Sequence, residues 1–317
     1  MALGTNHVIL SEVGGGGTKP GEGFVPALWS DEVIAAYKSN LVVANHVTKM
    51  NHKGKKGDVI YIPNPTRGSA SSKATETQVT LIAHSGSTIT ITIDKWYEYS
   101  RLIEDIVDVQ ALDSLRQFYT DDAGYALATQ VDDDLWTAAY NLQGGDGAAT
   151  NFGDTAVLGS DGSTLFVGTN DNAAALTDAG VRTMIQTLDD EDVPQNDRVW
   201  IVPPTTKKTL LGIPRYTEQA FTGETGGGNS IRNGMIGNLY NAPVYVSSNC
   251  PTDTAGSQDT RACMYVHKSA LVLVEQLGVR SQTQYKQEYL ADLYTADTIY
   301  GVGELRDKAG LLFVVPA

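Results

Sequence analysis

The sharpest periodicity in the chain is Thr88 to Ile93, where Ile89, Ile91 and Ile93 alternate with Thr88, Thr90 and Thr92. That spacing predicts a strand with isoleucines on one face and hydroxyls on the other. Val79, Leu81 and the turn His84-Ser85-Gly86-Ser87 predict a preceding strand, and Asp58 to Ile62 a third, stopped by Pro63 and Pro65. Between them Thr66 to Ala74 is small and polar, as expected of a mobile tip. Two or three strands this thin need something else to lie against. From Asp108 to Tyr140 the period changes: Leu112, Leu115, Tyr119, Ala123, Leu127, Val131, Leu135 and Ala139 follow at spacings of three and then four. One helix is expected, on the order of 45 Å long at ~1.5 Å per residue. A spacing of four overshoots the 3.6 period by ~40° each time, so the apolar stripe winds and its two ends need different partners.

Residues 1–28 carry Gly14 to Gly17 and Lys19-Pro20-Gly21-Glu22-Gly23, a composition that reads as an extended arm. Trp29-Ser30-Asp31-Glu32 opens a short helix with Ser30 as N-cap, expected to end near His46. Gln143 to Asp171 reads as a loop or insertion with a short strand at Thr164 to Val167. A helix after Thr177-Asp178 ends before Pro194, Arg198 to Val202 forms a buried strand, and a short helix covers Lys207 to Leu211. Gly223 to Gly228 reads as a mobile loop. Further strands are expected at Val244 to Ser247, Ala262 to Val266, Ala270 to Val274, Ile299 to Gly301 and Leu311 to Val315. Helices and strands mix without strict alternation, so the class is α+β.

Composition narrows the function. No apolar stretch reaches the ~18 residues of a membrane span, and Met1 to Leu10 is too short and polar for a secretory signal. A soluble protein made in a cytoplasm, with no membrane partner, is expected. Two cysteines, Cys250 and Cys263, exclude a disulfide framework and read as buried thiols. With 37 acids against 23 bases, a net charge of -14 argues against general nucleic-acid binding.

Catalytic and cofactor patterns fail on inspection. Gly14 to Lys19 continues into Pro20 and lacks the Gly-Lys-Ser/Thr of a phosphate loop; Gly226 to Gly228 does not open a dinucleotide fold. None of His7, His46, His52, His84 and His267 pairs on a helix face, so no zinc site is expected. His84-Ser85-Gly86 sits in a hairpin turn with no nucleophile elbow around it. Asp132, Asp133 and Asp134 point in three directions on a helix and cannot ligate one ion; they are expected to form a solvated or partner-facing acidic edge. No catalytic residue, cofactor or metal is expected.

The bases are placed unevenly. Lys49, Lys53, Lys55 and Lys56 lie within eight positions at the root of the β excursion, and Arg67 and Lys73 lie at its tip. Glu104, Asp105, Asp108, Asp113, Asp121, Asp122 and Asp132 to Asp134 decorate the long helix and its approach. This polarity suggests contact between copies of one molecule through Lys53, Lys55, Lys56, Arg67 and Lys73 on one side, and Asp121, Asp122, Asp132, Asp133 and Asp134 on the other. A solvated charge run is the alternative.

In this order the segments resemble the major capsid protein of tailed bacteriophages, the Hong Kong 97 type of shell fold. Phe24-Val-Pro-Ala-Leu-Trp29-Ser-Asp-Glu-Val-Ile34 looks like that family's arm entering a short helix. Gly57-Asp-Val-Ile-Tyr-Ile62 with Thr88 to Asp94 looks like its extended loop, and Asp105 to Leu135, with Ala111-Leu-Asp-Ser-Leu115, like its spine helix. Gly237-Asn-Leu-Tyr-Asn-Ala-Pro-Val-Tyr-Val-Ser-Ser-Asn249 looks like its short strand pair, and Ala291-Asp to Tyr300-Gly301-Val-Gly like its late peripheral strand. The resemblance implies an arm and short helix over 1–48, an extended β loop over 49–100, and a peripheral domain with the spine helix over 101–142. An axial domain with an insertion loop over 143–274 and a return to the periphery over 275–317 complete it. It implies self-association into pentamers and hexamers around double-stranded DNA, in the virion, with a separate scaffolding protein, a portal and decoration proteins as partners. A cellular nanocompartment shell of the same fold, a secreted binding module and an acidic hydrolase are the alternatives.

Overall fold

The computed structural model describes residues 42–53, 57–65, 68, 70–79, 81, 86–104, 114–145, 157–167, 173–217, 237–254 and 259–317. The arm, the helix expected after Ser30 and the Gly223 to Gly228 loop lie outside these residues; a 3₁₀ turn at Val43–Asn45 ends at His46.

One sheet is buried on both sides. Its strands are β5 (Arg198–Val202), β6 (Asn238–Leu239), β7 (Ala242–Val246), β8 (Thr252–Asp253), β9 (Thr260–His267) and β12 (Gly310–Pro316), in the order β12-β9-β5-β7-β6 with β8 paired to β9. The near-continuous apolar runs of β5, β9 and β12 follow from that position, since a strand covered on both faces has no solvent side to mark. Val199, Ile201, Ala262, Met264, Leu312 and Val314 face one core. Trp200, Val202, Cys263, Tyr265, Phe313 and Val315 face the other. There, Trp200 stacks on Tyr265 with ring centroids 3.8 Å apart. Helices α2 (Asp178–Asp190), α3 (Pro204–Leu211) and α4 (Pro214–Thr217) cover this second face through Val181, Met184, Leu188 and Leu210. Thr177 caps α2, its hydroxyl accepting from the Gly180 N–H at 3.3 Å, as its position before the apolar stripe predicts.

A second, four-stranded sheet has the order β1 (Thr48–Asn51), β10 (Leu271–Lys286), β11 (Ala291–Glu304), β4 (Lys95–Glu104). The strands expected at Ala270 to Val274 and Ile299 to Gly301 are only the roots of this long β10–β11 hairpin, which stays paired out to Lys286 and Ala291. Beyond the root β10 is exposed, while β11 keeps Ala291 and Ala296 buried and Tyr294 packed with α1, and the Arg280–Asp297 ion pair at 2.7 Å ties the two strands. Helix α1 (Ser114–Ala139) joins the two sheets; the helical residues expected before Ser114 lie outside the described residues. Ala123 and Leu127 pack with Ala296, Tyr97 and Tyr99 of the four-stranded sheet. Leu135, Trp136 and Ala139 enter the core of the six-stranded one. The two ends thus have different partners, as the winding stripe requires.

The β excursion is a two-stranded ribbon of β2 (Val59–Pro65) and β3 (Gly86–Thr92). Two expectations are corrected here. Strand β2 runs through Pro63 and Pro65 rather than stopping before them. The Ile93 N–H donates to the Asp58 carbonyl at 2.7 Å, which sets the bonding parity along the ribbon. Both prolines then fall on non-bonded positions, so their missing N–H groups face the free edge. The strand expected around Val79 and Leu81 is absent: residues 70–79 form no strand, and Leu81 is 91% exposed. Only the ribbon root is anchored, by Ile91 and Ile93 against Val272 and Val274.

Gly301 lets β11 pass beneath β3. A Cβ there would lie 2.4 Å from the Thr92 carbonyl oxygen and 3.1 Å from the Ile93 Cα, both backbone atoms. Gly301→Ala should therefore destabilise the fold by about 1–3 kcal/mol through overpacking. Hydrogen exchange should accelerate at the β3 amides before those of β5 or β9; uniform protection at unchanged melting temperature would contradict this contact.

Candidate functional site

Successive residues on a helix point ~100° apart, so Asp132 and Asp134 face nearly opposite ways. Each is buried, at 0% and 8% exposure, which corrects the expectation of a solvated or partner-facing edge at these two positions. Asp132 accepts from the Val43 backbone N–H at 3.0 Å and from Asn249 Nδ2 at 3.3 Å. Asp134 accepts from the Tyr300 hydroxyl at 2.7 Å, the Tyr97 hydroxyl at 3.5 Å and Gln130 Nε2 at 3.4 Å. Asp133 is exposed and takes the Asn249 amide at 2.7 Å. One turn of α1 therefore fastens the 3₁₀ turn, the Ser247–Asn249 turn, β4 and β11.

Among the described residues the donors to Asp132 and Asp134 are neutral. Burial raises the Asp132 carboxyl above its ordinary value; the Asn249 amide and the Val43 and Ala44 N–H groups pull it back, while the Asp133 charge adds to the rise. Burial also raises Asp133, with the Asp134 charge behind it. Tyr300 is raised by burial and by its bond to Asp134. Cys250 and Cys263 are free and buried, and burial pushes the Cys250 thiol up to about 12, far from a nucleophilic thiolate. Among the described residues no group of three or more His, Cys, Asp or Glu side chains could hold a metal ion.

The remaining charged candidates are dispersed. Lys53 pairs with Glu275 at 3.4 Å on the surface, tying the end of β1 to β10. Lys73 is exposed beside the ribbon, and Lys55, Lys56 and Arg67 lie outside the described residues. Asp122 accepts from the Tyr99 hydroxyl at 2.9 Å, and Asp121 is exposed. A second carboxylate centre escapes sequence reasoning. Asp178, at the start of α2, takes the Tyr216 and Tyr240 hydroxyls at 2.6 and 2.7 Å and lies 2.7 Å from Arg215 and 3.0 Å from Arg182. Arg182 stands one helical turn on, at a spacing the sequence shows, but Arg215, Tyr216 and Tyr240 are remote, so the sequence offered only the position of Asp178 after the Thr177 cap and its i,i+4 arginine. Large apolar side chains also stand exposed along both appendages: Tyr61 on the ribbon strand β2, Leu81 in the segment between the ribbon strands, Val279 midway along β10, and Tyr289 and Leu290 at the turn of the β10–β11 hairpin. The pair at the hairpin turn is a candidate contact surface.

The two carboxylate centres should respond to pH with opposite signs. Asp132 keeps its proton more tightly folded than unfolded, so stability falls as pH rises from the ordinary 3.8 through its raised folded value. At Asp178 burial opposes the charge, but the two tyrosine hydroxyls and two arginines outweigh it and hold the carboxyl below 3.8. Its contribution is present above 3.8 and is lost as pH falls through the lowered folded value. In thermal melts across pH 2 to 8, Asp132→Asn should flatten the decline above 3.8. Asp178→Asn should lower the neutral-pH melting temperature and remove part of the acid sensitivity. Parallel shifts of both variants at every pH would refute the assignment.

No curated protein matches the chain. A family model described as phage capsid protein matches residues 86–308, well over half of the chain. Among solved structures, a chain from Mycobacterium phage Che8 is 24% identical, covering 92% of this chain and 97% of its own at a TM-score of 0.69. The capsid structure of the cyanophage P-SCSP1u is 18% identical, over 94% of this chain and 95% of its own, with TM-score 0.72. The head structure of Helicobacter pylori bacteriophage KHP40 is 11% identical, over 98% and 99%, with TM-score 0.68. The shared fold is the α+β, Hong Kong 97-like capsid fold. The chain belongs to the phage capsid protein family and is a structural component of a virion.

Proposed function

We propose that the chain is the major shell subunit of a tailed phage, associating as pentamers and hexamers into an icosahedral shell that encloses double-stranded DNA. The observation that carries this reading is the pair of appendages: ribbon and hairpin each root in the chain's own sheets, and each carries apolar groups, Tyr61 on one and Val279, Tyr289 and Leu290 on the other, that stand exposed among the described residues. Sister copies supply that cover, as isologous or ring-closing contacts do in symmetric assemblies. Individual contacts can be modest, because a standard interface buries ~1,600 Å² and repetition makes the lattice persistent. The net charge of -14 suits a wall that must not trap DNA.

On this reading residues 1–48 are the arm and short helix, 49–100 the extended loop, 101–142 with 275–317 the peripheral domain, and 143–274 the axial domain with its insertion loop. The subunit assembles in the host cytoplasm, with a separate scaffolding protein and a portal, and decoration proteins can join the finished shell. The chain performs no catalysis. Lys53, Lys55, Lys56, Arg67 and Lys73 meet acidic surface of a neighbouring copy, where Asp121, Asp122 and Asp133 are candidates. Asp132 and Asp134 act from within, by fixing the helix that carries them.

Negative-stain microscopy of the purified, concentrated protein should show closed shells, and particles from infected cells should contain duplex DNA rather than a cargo enzyme. Charge reversal at Lys53, Lys55 and Lys56 should weaken assembly at ordinary salt while the subunit's melting temperature moves little; normal shells from that variant would refute the electrostatic contact. Deleting residues 66–74 should leave a folded subunit that closes shells poorly. Mature particles should run as one band near 33.9 kDa on denaturing gels, and a ladder above it would reveal a covalent cross-link.

A further inference from the structure

The last turns of α1 and the irregular segment Ser248–Pro251 enclose a cleft of about 340 Å³, walled by Asp133, Trp136 and Tyr140 on one side and Asn249, Cys250 and Pro251 on the other. Two features of its lining are chemically incomplete. Trp136 is 1% exposed, and its indole N–H meets no acceptor among the described residues. A buried donor without an acceptor is costly, and native folds rarely keep one without a reason. The Trp200 indole also lacks a partner among the described residues, but it lies beneath α2 and α3, stacked on Tyr265. At the cleft the missing acceptor can come from outside. Asp133, on the rim, accepts from the Asn249 amide, and burial together with the Asp134 charge raises its carboxyl. Arg261 lies near Cys250 on the opposite wall, but among the described residues no lysine or arginine forms an ion pair with Asp133.

The cleft therefore asks for an acceptor and a cation within a few ångströms of each other, and a lysine-bearing peptide provides both. In a chain of net charge -14, the Lys53-Gly54-Lys55-Lys56 stretch concentrates three lysines in four positions, with a glycine that leaves the neighbouring carbonyls unshielded. Its own Lys53 is engaged by Glu275. We propose that the cleft receives this stretch from a second copy, one of its carbonyls accepting the Trp136 N–H and Lys55 or Lys56 pairing with Asp133. The inference rests on the shell reading above and names the acidic side of its electrostatic contact. Entry exchanges the Asn249 bond to Asp133 for the incoming lysine, while Asn249 keeps its bond to Asp132 and the Pro251 carbonyl keeps the Ala262 N–H, so the turn shifts at the rim without leaving the helix.

The test compares assembly, by light scattering and microscopy, with the melting temperature of the unassembled subunit. Trp136→Phe removes the donor and keeps an aromatic ring. It should raise the critical concentration for assembly about tenfold, the factor of one ordinary hydrogen bond, with melting unchanged or raised. Unchanged assembly with a raised melting temperature would mean that the indole is only a packing flaw, and would overturn the proposal. Should Trp136→Phe misfold, charge exchange decides. Asp133→Lys and the double variant K55E/K56E should each block closure, and the three changes together should restore it. If K55E/K56E blocks closure but the triple variant does not rescue, the cleft is the wrong site while the basic contact stands. If the wild-type chain forms no shells at any concentration, the shell reading falls and this proposal with it.

Discussion

Two carboxylates buried on one turn of a helix set the geometry of the molecule. Asp132 and Asp134 have no cationic partner among the described residues, so each depends on neutral donors, most of them delivered from elsewhere in the chain. Hydrogen bonds to a charged group contribute about 1.5–3 kcal/mol each, and a buried carboxylate left without them is far worse than an apolar residue at the same place. The segments that supply the donors are thereby pinned: the turn at Val43, the turn at Asn249, Tyr97 on β4 and Tyr300 on β11. These come from sequence separations of 37 to 166 residues. The arrangement is specific because donors must arrive from opposite sides of the helix at once.

What the helix joins differs in stiffness. The six-stranded sheet is sealed on both faces, and Trp200, Tyr265 and Phe313 fill its second core. The four-stranded sheet is covered by α1 on one side and by the ribbon root near Val272 and Val274. Beyond those contacts the hairpin and ribbon carry little apolar packing, and local stability follows packing. The molecule is thus a rigid body with two limbs whose order depends on what they touch.

Much of the rigid body was legible in the sequence because it rests on local signals. Arg198–Val202 is where an uninterrupted apolar run places it, Thr177 caps the helix it precedes, and the winding stripe of α1 foretells its two partners. The ribbon's isoleucine face was equally plain. The misreadings have physical causes. Prolines stop a central strand but not the free edge of a ribbon, so Pro63 and Pro65 misplaced the end of β2. The outer part of β10 shows no apolar alternation because neither face is buried, and its pairing partner supplies the order. Strand β4 alternates, with Tyr97 and Tyr99 inward and Trp96 and Glu98 outward, but aromatic residues fall on both of its faces, so the alternation is weak as a hydrophobic pattern. At the acidic turn, composition indicated solvent, whereas the donors that permit burial come from residues no local window contains.

The same reasoning explains why assembly and folding can share residues without conflict. A contact that must form between copies cannot be stable within one, so its groups are left partly unsatisfied: apolar side chains without cover, a carboxylate without an ion pair, a limb without packing. Each deficiency costs the lone subunit a little, and the total must stay small beside the few kcal/mol by which a domain of this size is stable. Placing the deficiencies along the limbs, and on the outer side of a helix whose inner carboxylates are satisfied, keeps that cost away from the sealed sheet. Repetition then works in favour of the assembly, since every copy brings the same small deficits and the same means of relieving its neighbour's. A shell can in this way be built from subunits that stay apart when dilute and close together when concentrated.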